Sequence, residues 1–459
     1  MLIRFSVENF SSFSTRQTIS FLPGKGLLKP EHKTHPVKGV SLLKTTVVFG
    51  ANASGKTNLI RAIEFGKRLV LFGTKTGNKI SFKKFRLDEA MENANSRIEY
   101  EIQHKGKNYA YGFIFNNKEI VEEWLYEIKK EKGVDIKLFE RNINNKEIFD
   151  LEYFFKKNTK DEQRQFLKFT ARATPNNQLF LTEIRARKVK ENVSDITDLL
   201  NVLDWFLNAL KVIFPDDKYN EGLKFELKDD ENLLTTFQEF LNYFDTGISG
   251  VSLEGIELDN VDLPKEIIDD ILEAFQNREA ESLMALISHN NTTYFFLKKE
   301  SRISVHKFMT KHKVKGREKE ELFDPCDESD GTNRIMDFIP LVMDLLKGDN
   351  VFLVDEMERS LHPNLMYDLI DLFISKAKDV NSQLIVATHE SSLLTQKLLR
   401  KDEIWFVVKD KDGASRLHSL EEYNIRFDKE IRKDYLLGRY KGVPKIGDRN
   451  KLTKLPNQS

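Results

Sequence analysis

Eight consecutive residues carry the clearest chemistry in this chain. Gly50-Ala51-Asn52-Ala53-Ser54-Gly55-Lys56-Thr57 fits the spacing G-x-x-x-x-G-K-[ST], with Asn58 following. The octet stands between an apolar run, Thr45 to Phe49, and a helical period formed by Leu59, Ile60, Ala62, Ile63 and Phe65. A glycine-bearing turn that opens a helix aims backbone N–H groups and the positive end of the helix dipole at one spot, where phosphate oxygens can sit. In such a loop Lys56 reaches the outer phosphates of a nucleotide, and the Thr57 hydroxyl is a Mg²⁺ ligand. Val351-Phe352-Leu353-Val354-Asp355-Glu356 is the second element. A buried strand there delivers Asp355 to a sheet edge to hold Mg²⁺ or its water, and Glu356 can orient or deprotonate an attacking water. Alone, an acidic pair at a strand end is a solvated surface feature; downstream of a phosphate loop it reads as chemistry.

Two shorter elements admit two readings each. Glu328-Ser329-Asp330-Gly331-Thr332 opens an apolar helix and is by itself an N-cap, yet a hydroxyl, a glycine and a helix N-terminus together also grip a γ-phosphate. Thr388-His389 closes the apolar run Gln383 to Ala387, where a histidine is either an edge residue or a γ-phosphate sensor.

These residues need a scaffold that brings distant segments together. Residues 2–8 alternate around Ile3, Phe5 and Val7, turn at Asn9-Phe10-Ser11-Ser12-Phe13 and return through Gln17 to Phe21, which predicts a hairpin. Between Arg97 and Arg141 the alternation of Ile98, Tyr100 and Ile102, then Tyr109, Tyr111 and Phe113, predicts an antiparallel meander. From Asp195 to Ser288 the period turns helical, in pieces over Leu199–Leu210, Leu233–Phe244 and Glu266–Leu286, with no sustained heptad. Strand-and-helix alternation resumes from Gly331 and argues for a parallel sheet flanked by helices. The expected organisation is a mixed α/β head in two parts, residues 1–185 and 291–459, around a mainly helical insert, residues 186–290.

Composition bounds the rest. Lys plus Arg and Asp plus Glu total 72 each, so no global positive field draws in nucleic acid, and any such contact must be a local patch. The densest basic run, Arg185-Ala186-Arg187-Lys188-Val189-Lys190, is such a patch or a solvated helix face. One cysteine, Cys326, excludes an internal disulfide. The start MLIRFSVENF lacks the apolar core of a signal peptide and no apolar stretch is long enough for a membrane span, so a cytoplasmic location without membrane contact is expected.

The order Gly50–Thr57, Ser329–Thr332, Val351–Glu356, Ser360-Leu361-His362-Pro363 and Thr388-His389 resembles the Walker A, signature, Walker B, D-loop and switch-histidine series of ABC-type ATPases. Gly331 precedes Asp355 by 24 positions, His389 follows it by 34, and Lys56 lies 299 before it, a long split similar to the SMC, RecF and OLD-like branches. A narrower resemblance joins Gly50–Asn58, Ser329-Asp330-Gly331-Thr332 and the tail Tyr435-Leu436-Leu437-Gly438-Arg439-Tyr440-Lys441-Gly442-Val443-Pro444 to stand-alone ATPases of bacterial defence loci, of the RloA, AbiL and AriA kind.

This resemblance implies ATP and Mg²⁺ as ligands, slow hydrolysis, and a homo-oligomer whose minimal unit is a dimer. Lys56, Thr57, Asp355, Glu356 and His389 of one chain would face Ser329 and Gly331 of the other. It also implies a separate effector such as a TOPRIM nuclease and a phage-encoded trigger. A DNA-repair ATPase of the RecF kind and a non-hydrolysing scaffold are the competing readings. Gln178 is the candidate for the glutamine that couples Mg²⁺ to the lobe, and Glu430 to Tyr440 is either a docking tail or a segment packed on its own head.

Overall fold

The computed structural model describes residues 1–26, 28–129, 133–158, 160–278, 280, 282–300, 302–423 and 430–443. Its contacts divide the chain into two compact units. One comprises Met1–Pro215, Leu345–Glu358 and Met366–Ser459; the other comprises Asp216–Asp344 and Arg359–Leu365.

The first unit is built on two sheets. A seven-stranded antiparallel sheet begins with the hairpin Leu2–Glu8 and Gln17–Ser20 and continues through the meander Ser96–His104, Lys107–Phe115, Ile120–Glu127 and Ile136–Asn142 to Phe149–Asp150. Its strands alternate as period-two text should: Ile98, Tyr100, Tyr109, Tyr111 and Phe113 are fully buried. The six-stranded sheet runs in the order Ser415–Ser419, Ile404–Lys409, Thr45–Phe49, Gln383–Thr388, Val351–Asp355 and Leu210–Ile213. All neighbours are parallel except the first pair. Parallel strands share one C-terminal edge, and the register fixes it: Phe49 pairs with Thr388 and Ala387 with Asp355. The loops after Phe49, Asp355 and Thr388 therefore leave the sheet side by side.

The helix Lys56–Phe72 leaves the first of these loops. It buries Leu59, Ile60, Ile63, Gly66, Leu69 and Val70, the 3.6-residue face that its sequence spelled out. Tyr100 donates a 2.7 Å hydrogen bond to the Ile63 carbonyl, and the Cβ of any larger residue at Gly66 would strike that ring.

The second unit departs from the expected helical insert. Residues 186–215 belong to the first unit, and Leu199–Leu210, expected to be one helix, is a helix over Thr197–Asp204, a π turn over Trp205–Ala209 and then the edge strand Leu210–Ile213. Glu266–Leu286 is a helix only over Lys265–Gln276; Ser282–His289 is a strand. That strand lies in an antiparallel sheet ordered Gly250–Ile256, Arg302–His312, Thr292–Lys299, Ser282–His289, with Glu321–Phe323 paired to Arg302–His312. Leu283, Ala285 and Ile287 pack with period two against Val261, Ile271, Phe275, Tyr294, Phe296 and Val305. Leu283 and Leu286 also fit a helical period, so the text was ambiguous and cross-strand pairing decided it.

Candidate functional site

The loop Gly50–Gly55 is held in shape by its own backbone and by two serines from elsewhere. Ser54 N–H donates to the Ala51 carbonyl at 3.1 Å, and Ala53 and Gly55 take left-handed φ values of 62° and 116°. At Gly55 a Cβ would lie 2.2 Å from Ser415 Oγ and 2.7 Å from Ser12 Oγ, so glycine is required both for conformation and for room. Ser415 Oγ donates to the Ser54 carbonyl at 2.5 Å and lies 2.8 Å from Ser12 Oγ, which accepts from Asn58 Nδ2 at 2.9 Å. Ser12 and Ser415 lacked any motif; only the fold brings the first hairpin turn and the strand Ser415–Ser419 to this loop.

Lys56 is buried, and its ammonium donates to the Gly50 carbonyl at 2.8 Å and the Ala51 carbonyl at 3.3 Å. Burial lowers its pKa, against the pull of Glu358, Asp355 and Glu356. Asp355 is fully buried at the tip of its strand, and neither carboxylate oxygen has a hydrogen bond of ordinary geometry. Burial raises its pKa, while the adjacent Thr57 hydroxyl and the Lys56 ammonium work against the rise. Glu356 follows in a left-handed conformation, φ 47°, which turns the chain off the strand and away from the direction of Asp355.

Glu358 is the residue that motif reading missed. Its Oε1 accepts from the His389 backbone N–H at 2.9 Å and lies 2.7 Å from His389 Nδ1, while its Oε2 is buried without a partner. A carboxylate on Nδ1 fixes that nitrogen as the proton carrier and leaves Nε2 for another partner. Two positions beyond Glu356, Glu358 could have been flagged by its place in the acidic cluster alone.

The fit to a magnesium nucleotide can be judged on these atoms. A buried carboxylate that makes no hydrogen bond of ordinary geometry among the described residues, the Thr57 hydroxyl beside it and a buried ammonium bonded to two carbonyls form a donor set of the right chemistry for a hard cation and a polyphosphate. The residues fit.

Gly50, Asn52, Ala53, Ser54, Gly55, Lys56, Thr57, Asn58, Asp355, Glu356 and His389 thus belong to one unit and follow neighbouring strands. Ser329, Asp330, Gly331 and Thr332 belong to the other. Ser329 Oγ accepts from the Thr332 N–H at 3.1 Å and lies 2.9 Å from Thr332 Oγ1, an N-cap on the helix Asp330–Lys347. A Cβ on Gly331 would lie 3.0 Å from the Ser360 carbonyl, so the signature and D-loop segments touch within this unit.

Gln178 is placed elsewhere: its Oε1 accepts from the Thr74 N–H at 3.0 Å, capping the far end of the helix that the phosphate loop begins. The basic run is largely satisfied at home, with Arg185 on the Leu71 carbonyl and Arg187 Nε 2.7 Å from Glu183. Tyr435 and Tyr440 stack on Phe406 at 5.6 and 5.2 Å, so the described part of the tail packs on its own unit; Pro444 lies outside the described residues.

The family described as "AAA domain, putative AbiEii toxin, Type IV TA system" matches residues 45–395, well over half of the chain, and the match spans every element just described from the phosphate loop to His389. The chain belongs to that family. It is an AAA-domain P-loop protein with its motifs in the ABC-type order. No curated protein matches it in sequence. Among solved structures, the SMC head domain from Thermotoga maritima covers 91% of this chain and 98% of its own at 11% identity and a TM-score of 0.35. An SmcHead bound to the C-winged helix domain of ScpA covers 92% and 98% at 14% identity and 0.38. A Pyrococcus furiosus Smc head with an extended coiled coil, bound to the C-terminal domain of ScpA, covers 92% and 97% at 14% and 0.32. No helix among the described residues is long and apolar enough to cross a membrane.

Proposed function

We propose that this chain binds Mg²⁺-ATP in the loop Gly50–Thr57 and hydrolyses it slowly, acting as a switch between two copies of itself. The observation that carries the reading is Asp355, a buried carboxylate at the strand tip that makes no hydrogen bond of ordinary geometry among the described residues and has only the Thr57 hydroxyl and the Lys56 ammonium to offset its charge. Leaving both oxygens of a buried carboxylate unsatisfied costs several kcal/mol on the order of its desolvation, which a protein tolerates where a cation is to be bound.

Asp355 and Thr57 would hold the metal, which when bound neutralises charge on the outer phosphates. The backbone N–H groups of Asn52, Ala53, Gly55 and Asn58 would surround phosphate oxygens while the Ser54 N–H holds the turn through the Ala51 carbonyl, and Lys56 would exchange its two carbonyl contacts for the phosphate. Glu356 would take the proton of the attacking water. His389, oriented by Glu358, would reach the γ-phosphate through Nε2.

The second half of the site would come from another copy, whose exposed Ser329 and adjacent Asp330, Gly331 and Thr332 would close over the γ-phosphate. Contacts to that phosphate exist only while ATP is intact, so hydrolysis would open the pair. We further infer a role in cytoplasmic anti-phage defence, in which a phage-encoded trigger reaches the dimer and the dimer controls an effector such as a TOPRIM nuclease. The motif resemblance and the toxin–antitoxin description of the family support this.

The test is light scattering with nucleotide-binding measurements. Glu356→Gln with Mg²⁺-ATP should be a dimer that retains ATP, and Lys56→Ala a species that binds none. Wild-type turnover by Glu356→Gln, or ATP retention by Lys56→Ala, would overturn the assignment.

A further inference from the structure

The local positive patch that net charge leaves room for lies in a place the sequence did not flag. Along the helix Lys56–Phe72, the residues Arg61, Phe65, Arg68 and Phe72 fall at spacings of four, three and four, one face of a helix. Opposite them runs the extended segment 79–86. Ile80 and Phe85 point inward and are buried, pinned by the Ile80 N–H to the Asn117 carbonyl at 2.9 Å and the Phe85 N–H to Asn9 Oδ1 at 3.2 Å. Alternation then turns Lys79, Ser81 and Lys83 outward, with Arg86 exposed beyond Phe85.

Two cavities of 590 and 470 Å³ open between these elements and share Arg61, Phe65 and Ser81, so they form one groove. It extends from Asn58 and Ser12 past Lys409 at one end to Phe72 at the other, about 20 Å along the helix at its rise of about 1.5 Å per residue. Arg61, Arg68, Lys79, Lys83, Arg86 and Lys409 line it, and among the described residues no carboxylate pairs with any of them. Lys84 is held by the Glu92 and Ala94 carbonyls, and Glu64 is the groove's one acidic lining residue. Phe72 is 72% exposed at the groove's end, an aromatic face in water on which no ring stacks among the described residues.

We infer that this groove is a binding site for single-stranded nucleic acid, its cations following the phosphates and Phe72 stacking a base. Unpaired cations in a track and an exposed ring are the two parts such a site needs. A duplex presents its bases already stacked and would leave Phe72 unused. At about 3.4 Å or more per nucleotide the groove takes up to about six nucleotides. The inference does not depend on what the phosphate loop binds.

The test is fluorescence anisotropy of the full chain with labelled 20-nucleotide single-stranded DNA, single-stranded RNA and duplex DNA at several salt concentrations. Wild-type protein should bind a single strand. The double variant Arg68→Glu/Lys79→Glu, both at exposed positions, should weaken binding at least about tenfold and flatten the log–log salt slope by about 1.4, at about 0.7 per phosphate contact. Phe72→Ala should weaken single-strand binding about fivefold or more and leave duplex binding unchanged. Lys56→Ala should bind the oligonucleotide as wild type does, so loss of the nucleotide reading leaves this one standing. No binding to either single strand at low salt, binding indifferent to the double variant, or complete displacement of the oligonucleotide by Mg²⁺-ATP would each overturn the proposal.

Discussion

Replacing Asp355 by asparagine should make the nucleotide-free protein more stable and the nucleotide-loaded protein less so. In the free chain Asp355 is a fully buried carboxylate without a hydrogen bond of ordinary geometry, offset by the adjacent Thr57 hydroxyl and the Lys56 ammonium. An uncompensated buried charge costs several kcal/mol after relaxation, and a neutral amide in the same place about 1–3 kcal/mol. With Thr57 and Lys56 offsetting part of the first figure, the variant gains about 1–3 kcal/mol. The unit that holds Asp355 has roughly 300 residues, and at about 2.1 cal/mol/K per residue each kcal/mol moves its Tm by about 1.5 °C. Asp355→Asn should therefore melt about 2–4 °C higher without ligand. Mg²⁺-ATP at about 100 times its Kd adds about 2.7 kcal/mol, or about 4 °C, to the wild type and nothing to the variant, so the order reverses. Scanning calorimetry with and without Mg²⁺-ATP reads both halves. A variant that melts below the wild type without ligand, or keeps the full ligand shift, refutes the assignment of Asp355 as an unsatisfied cation ligand.

Other outcomes follow from single contacts. Glu358→Ala removes the acceptor that holds His389, so steady-state kinetics should show kcat down about tenfold with KM for ATP nearly unchanged. Gly331→Ala sets a Cβ 3.0 Å from the Ser360 carbonyl, and the resulting shift, about 1–3 kcal/mol of crowding, should abolish ATP-driven dimerisation in light scattering while ATP binding by the single chain persists. Asp198 is buried, which alone would raise its pKa, but hydrogen bonds from Lys107 at 2.5 Å, Tyr109 at 2.8 Å and Tyr153 at 2.9 Å hold it below the usual carboxylate value. A lowered folded pKa stabilises above the unfolded value of about 3.9 and loses that contribution as pH falls through the folded one. Asp198→Asn should thus cost about 3 kcal/mol in urea unfolding at pH 7, and the gap from wild type should close below about pH 4.

The phosphate loop was legible because its chemistry is local: the backbone N–H groups of one turn, a lysine and a threonine must be contiguous to surround one phosphate, so the order of residues Gly50 to Thr57 marks it. The strand before Asp355 and the helix after Thr57 were legible for the same reason, since burial on one or both faces imposes a period that survives in one dimension. Pairing imposes no such mark. Leu210 reads as the end of the helical piece Leu199–Leu210, yet it opens the edge strand Leu210–Ile213 because Val351–Val354 lies beside it; Ser282–His289 becomes a strand only against Thr292–Lys299. Ser12, Ser415 and Glu358 meet the site through backbone register and loop closure across as many as 403 residues of separation. The cations from Arg61 to Lys409 spread over three segments at spacings that no composition window registers, and a neutral total hides them. Contiguous chemistry is written in the sequence; chemistry assembled from strand order is decided by which backbones bond to which, a free-energy comparison over the whole chain that no short window contains.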